Sequence, residues 1–183
     1  MLKNAIRTVD EMIHDRGEQE LRTVRGNSNS NSNSLLRVRR NDTITVLFIN
    51  CTKMGVVAFR ELCTSYGTSE HLIMIPIKGW TSDVSDSAND AETTVELFSM
   101  EELTHNPIRH AYIPLHCVAS EAEVAQLMRD TGTDGIAALS KKIPHLLRTD
   151  IVCRYYGWPV GTVVRISRTY DIMKQVHAFR VVV

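Results

Sequence analysis

Apolar residues recur at helical spacing at the start of the chain. Leu2, Ala5, Ile6, Val9, Met12 and Ile13 form one stripe with polar residues between them, the pattern of a helix packed on one face. Gly17 stands where that helix would be capped, because glycine accepts the left-handed conformation just past a helix end. Residues 26–34 read GNSNSNSNS. The run has nothing to bury and is expected to be a flexible surface loop. The period then changes. Residues 43–49 (TITVLFI) are β-branched and aliphatic almost throughout, as in a strand buried on both faces. Residues 54–66 fit a helix with Val57, Leu62 and Tyr66 among its apolar members, and residues 71–77 (HLIMIPI) read as a second strand with Pro76 near its end. Strand, helix and strand in that order predict a crossover unit with a parallel pair. Gly79-Trp80-Thr81-Ser82-Asp83 reads as a loop that opens an acidic, weakly periodic stretch to about Glu102.

The character changes near His110. Ser120-Glu121-Ala122-Glu123 is a capping box, with Ser at the N-cap and Glu at the third helical position. Val124, Leu127 and Met128 then supply an apolar face, and the helix ends near Gly132. Asp150 is placed to cap a short helix, IVCRYY, that Gly157 closes. Residues 162–168 and 176–182 are two β-rich runs, expected to form an antiparallel hairpin across a seven-residue link. In the first of them Val164 and Ile166 share one face, and Val163 and Arg165 the other. The fold class is α+β. An N-terminal α/β domain with a small strand-helix-strand sheet covers 1–109, and a small C-terminal α+β domain with a helix and a hairpin covers 110–183.

Charge adds an asymmetry that the totals conceal. Lys and Arg number 21, and so do Asp and Glu, which excludes a globally basic nucleic-acid binder. Residues 1–40 hold 8 basic and 5 acidic side chains, 41–109 hold 4 and 10, and 110–183 hold 9 and 6. From Gly79 to Ile108 there are seven acids and no Lys or Arg, so the middle of the chain would repel phosphate. Arg37, Arg39 and Arg40 form a short basic run, read as a solvated charge run in preference to a localisation signal. Hydrophobic residues make up 43%, enough for a real core. No apolar run approaches a membrane span, and no signal peptide is visible at the N-terminus.

Catalytic and metal chemistry find little support. No Walker A loop, glycine-rich dinucleotide fingerprint or GxSxG elbow occurs. His105, His110, His116 and Cys117 have metal-ligand residue types, but their spacing fits no common zinc pattern. Cys51, Cys63, Cys117 and Cys153 form no CxxC pair, which fits free thiols in a reducing compartment. No carboxylate stands beside Lys78 where a nuclease would bridge its metal. No cofactor is implied.

The C-terminal part carries the most specific pattern. It runs Ile113-Pro114-Leu115-His116, the capped helix, Ile143-Pro144, then Thr149 to Gly157 (TDIVCRYYG), then Gly161 to Arg168 (GTVVRISR). This resembles the fifth-subunit family of nuclear DNA-dependent RNA polymerases, which has an archaeal relative. The N-terminal part resembles the eukaryotic form, which adds a jaw domain: His14-Asp15-Arg16-Gly17, Thr45-Val46-Leu47, Val95-Glu96-Leu97-Phe98 and Glu101-Glu102-Leu103 match its segments more loosely. Ile151 stands where the family has Pro, Cys153 where it has Ala, and the family's signature after Arg168 is lost, as in a diverged paralogue. The resemblance implies a non-catalytic subunit that docks on the largest subunit through 110–183 and forms a jaw near downstream DNA with 1–109. It implies His116, Asp150, Arg154, Tyr155, Tyr156, Trp158, Arg165 and Arg168 as interface residues, with Trp158 the better anchor of two exposed-aromatic candidates, the other being Trp80. Thr81 and Ser82 would lie nearest DNA, with weak contacts made only inside the complex. The nucleus, and within it the nucleolus, is the implied compartment. A free-standing nucleic-acid-binding or adaptor protein is the alternative.

Overall fold

The computed structural model describes residues 1–24, 35–67, 70–91, 93–170 and 174–183. The predicted loop at 26–34 lies outside the described residues. The chain divides into two compact units, Met1–Asn106 and Pro107–Val183.

The first unit opens with α1 (Leu2–Asp15), whose stripe buries Ala5, Thr8, Val9, Met12 and Ile13. It ends as predicted. Gly17 takes a φ of 76°, and the N–H groups of Gly17 and Glu18 reach back to the carbonyls of His14 and Ile13, which satisfies acceptors left open at the helix end. Then come β1 (Arg22–Val24), β2 (Leu35–Arg40), β3 (Ile44–Ile49), β4 (Lys53–Met54), α2 (Val56–Tyr66), β5 (His71–Ile75), β6 (Gly79–Trp80), α3 (Ser82–Asn89) and β7 (Thr94–Leu97). A 3-10 turn at Glu102–Thr104 follows and packs on α1. The expected parallel pair is present as β3 and β5, with Ile44 opposite His71 and Phe48 opposite Ile75. The sheet is larger than a strand-helix-strand unit: five strands in the order β1-β2-β3-β5-β7, antiparallel on the β1 side and parallel on the β7 side.

Both sheet faces are covered. Leu47, Ile49, Leu72 and Met74 share a core with Phe59 and Leu62 of α2 and Val84 of α3. Val57, expected among the apolar members of α2, is 69% exposed; it lies on the solvent side of the helix. On the opposite face Val46, Phe48, Ile73 and Ile75 are buried too, and α1 is tied to strands on either side of them. Arg39 of β2 pairs with Asp10 and donates to the Leu21 carbonyl at 2.7 Å. Arg16 donates to Glu96 of β7 at 2.7 Å. The basic run at 37–40 is therefore a strand, with Arg39 turned inward and Arg37 and Arg40 exposed. Glu96 and Glu102 are engaged as well, the second accepting the Ser99 N–H at 2.8 Å, so the acidic stretch is less unbalanced than its composition.

The second unit contains a 3-10 turn (Pro107–Arg109), β8 (Leu115–Val118), α4 (Glu121–Thr131), α5 (Ile136–Leu139), β9 (His145–Leu146), α6 (Ile151–Tyr156), β10 (Val163–Tyr170) and β11 (Lys174–Val182). Its sheet has the order β8-β10-β11-β9. The hairpin of β10 and β11 is longer than expected, with residues as far as Tyr170 and Lys174 in register; the residues between, 171–173, lie outside the described residues. Val164 and Ile166 pack with Leu146, Cys153 and Val182 on one face. Val163 and Val181 pack with Ala119 and Leu139 on the other, beside Val124, Leu127 and Met128 of α4. The sheet thus lies between α6 and the pair α4 and α5. The unit holds more than a helix and a hairpin, and β8 and β9 escaped the sequence reading because each is too short for a visible alternation.

Candidate functional site

Asp150 initiates α6. Its Oδ1 accepts the Val152 N–H at 2.8 Å, and the half-buried Ile151 occupies the first helical position, where proline is equally at home. Gly157 closes the helix at φ 67°, and the Trp158 N–H reaches back to the Cys153 carbonyl at 3.1 Å. That turn lays the Trp158 indole on the Tyr156 ring, with centroids 4.6 Å apart and planes 11° from parallel. Tyr155 meets Tyr156 edge-on at 5.2 Å. Tyr155 is fully buried and Cys153 nearly so, while Tyr156 and Arg154 are half-buried; Trp158, expected to be exposed, is half-buried too, packed against the core of Leu146, Cys153, Val164, Ile166 and Val182. Burial, and then the charge of Asp150, push the Cys153 thiol up to about 11, so it is an inert core group.

The other predicted interface residues lie elsewhere on the sheet. Arg165 sits on the α4 face and pairs with Glu123. Glu123 also accepts the Ser120 N–H and hydroxyl, at 2.8 and 2.9 Å. The Ser120 backbone bond, followed by the Arg165 bond, holds the Glu123 carboxyl below its usual range. His116 and Arg168 lie on the α6 face. The His116 ring Nδ1 is 2.7 Å from the Pro114 carbonyl, and Arg168 is exposed. The structure therefore gathers Asp150, Arg154, Tyr155, Tyr156 and Trp158 around α6 and leaves Arg165 on the far side.

Thr81 and Ser82 belong to a helix start and not to a loop. β6 pairs in parallel with β4, Lys53 opposite Gly79 and Met54 opposite Trp80. Thr81 is the N-cap of α3, its N–H held by the Met54 carbonyl at 3.1 Å. Trp80 is not the exposed aromatic that was expected. It is half-buried against the core of this unit, and its indole N–H donates to the Ser85 hydroxyl at 2.7 Å. The pairing also brings two exposed cations, Lys53 and Lys78, alongside Thr81 and Ser82. Sequence reasoning missed Lys53 because it is 28 residues before Thr81 and a two-residue strand leaves no pattern.

The second unit is thus a two-faced sheet between α6 and α4, with the Asp-capped helix running into an aromatic stack. Residues 105–182 match the family model described as RNA polymerase Rpb5, C-terminal domain, nearly the whole of the second unit. Similarity extends along the chain. It is 26% identical to the Caenorhabditis briggsae DNA-directed RNA polymerases I, II, and III subunit RPABC1, over 97% of this chain and 93% of that protein. It is 25% identical to the Arabidopsis thaliana DNA-directed RNA polymerases IV and V subunit 5B, over 97% and 88%. With the Arabidopsis thaliana DNA-directed RNA polymerase V subunit 5A it shares 24% identity over 76% and 62%. Residues 105–182 thus resemble the Rpb5 C-terminal domain, and the chain as a whole is similar to fifth subunits of DNA-directed RNA polymerases.

Proposed function

We propose that this protein is a structural subunit of a DNA-directed RNA polymerase, working in the nucleus, including the nucleolus. The second unit docks on the largest subunit, and the first forms a jaw beside downstream DNA. The observation that carries the reading is the match of residues 105–182 to the Rpb5 C-terminal domain, a match that coincides with a unit having its own two-sided core. The half-buried Tyr156–Trp158 stack is the best anchor on that unit; because Trp158 also packs on the Leu146–Val182 core, its truncation costs some folding stability as well as contact. Phosphodiester chemistry belongs to other subunits.

The test is purification of the full-length chain, tagged, from its own cells, with mass spectrometry of what accompanies it. A subunit co-elutes with the large polymerase chains. A free-standing adaptor or nucleic-acid-binding protein elutes without them, and that result would reject the reading. Trp158→Ala is expected to weaken docking by on the order of 2 kcal/mol. Tyr155→Ala, in the core, is expected instead to lower the stability of the chain by about 3 kcal/mol or more.

A further inference from the structure

Among the described residues the outer edge of β8 has no strand beside it. The Ala119 N–H donates to the Val163 carbonyl at 2.9 Å, so 119 and 163 form a hydrogen-bonded pair. Alternation along an antiparallel ladder then makes Cys117–Arg165 and Leu115–Ser167 bonded pairs, and His116–Ile166 and Val118–Val164 non-bonded ones. His116 and Val118 therefore turn their backbone N–H and C=O groups away from β10. Among the described residues no strand lies beyond them.

Unpaired edges are normally protected by charge, proline within the strand or a cover. Leu115-His116-Cys117-Val118 holds no Lys, Arg, Asp, Glu or Pro. Its apolar side chains are uncovered on both faces: Leu115 is 64% exposed and Val118 54%, and Tyr112 just upstream is 90% exposed. One cation flanks the edge. Arg168 lies on the same sheet face as His116 and Val118, two residues past the Ile166–His116 row and level with Pro114. It is exposed and, among the described residues, makes no ion pair.

We infer that β8 accepts an added strand: an extended segment of another polymerase subunit, with an apolar residue against Val118 and a carboxylate against Arg168. Backbone bonds to His116 and Val118 supply the affinity, and the flanking side chains supply the choice of segment. The carboxylate follows from charge complementarity with the exposed Arg168 guanidinium, which has no ion pair among the described residues. This rests on the proposed role as a subunit and adds the means of attachment.

The experiment compares amide exchange in the free full-length chain and in the purified polymerase, and recovery of polymerase by tagged variants. On assembly, exchange at His116 and Val118 should slow about tenfold or more. Val118→Pro removes an outward N–H without touching the β10 ladder, and Val118→Lys puts a charge on the edge. Each should cut recovery about tenfold, Arg168→Glu should do likewise, and the exposed-site control Val57→Lys should match the wild type. If Val118→Pro fails to fold by circular dichroism, Val118→Lys carries the comparison. Polymerase recovered at wild-type level by the folded variants, or amides at 116 and 118 that stay fast in the complex, would overturn strand addition and leave the subunit role standing. A wild-type chain that recovers no polymerase removes both.

Discussion

Glu96 lies on β7 with the Arg16 guanidinium 2.7 Å away and the His71 ring 3.1 Å away. Burial by itself would raise its carboxyl; the close His71 ring nitrogen and the Arg16 guanidinium outweigh that and hold it below the usual value of 4.5. Both side chains of the Arg16–Glu96 pair are largely buried, 7% and 19% exposed, so removing one partner strands the other. Arg16→Ala should destabilise the chain by about 3 kcal/mol at neutral pH. The sign with pH follows from the lowered value. A carboxylate whose pKa falls on folding contributes stability above its unfolded value, and the contribution is lost as pH falls through the folded one. The gap between Arg16→Ala and wild type should therefore shrink from about pH 4.5 downward, and Glu96→Gln should lose stability less steeply than wild type on acidification. Urea titrations at pH 7 and in the acid range measure both; an unchanged gap would mean that the pair contributes little and α1 is held by packing alone.

At the scale of elements, the capped helices are the most predictable part of the chain. The Ser120–Glu123 box is present with both reciprocal bonds, and Ser120→Ala should cost about 1 kcal/mol in a denaturant titration. Glu123→Ala should cost more, because it also releases Arg165 from its ion pair; equal losses for the two variants would show that the strand-to-helix bridge contributes nothing. α1, β3, β5, α4, α6 and the final hairpin were all legible, since each declares itself by period or by its cap. β1, β2, β4, β6, β8 and β9 were not. β2 reads as a charge run because its arginines alternate about a single buried residue, Val38, and the two-residue strands exist only through their partners. The interface candidates show the same limit. Asp150 and Trp158 follow from local turn chemistry, whereas the burial of Tyr155 and the Arg165–Glu123 pair depend on which sheet face α6 and α4 occupy, a tertiary fact.

The whole molecule has zero formal net charge, and how it would meet DNA in the proposed jaw role depends on where the charges fall. Asp83, Asp86 and Asp90 are exposed on and just after α3. Lys53 and Lys78 are exposed beside its first turn, brought there by the β4–β6 pairing. The segment at 79–86 therefore carries both signs of charge, with Lys53 and Lys78 at the start of α3 and Asp83 and Asp86 along it, and each field reaches only about 8 Å at physiological salt. Duplex affinity comes mainly from cations that displace counterions at phosphates, with a salt slope of about 0.9 per phosphate neutralised. With Lys53 and Lys78 as the cations beside Thr81 and Ser82, the free chain should bind duplex DNA weakly, and its logarithmic salt slope should not exceed about 2. The hydroxyls of Thr81 and Ser82 can position a phosphate but read no sequence, so in the proposed jaw role contact would gain strength only where other subunits hold the duplex in place. Titration of a labelled duplex at several salt concentrations tests this. Lys53→Ala with Lys78→Ala should flatten the slope toward zero. A steep slope that survives the double substitution would locate the DNA-facing surface elsewhere, first of all at the strand edge where Arg22 stands opposite Arg40, with Arg37 nearby on the same strand.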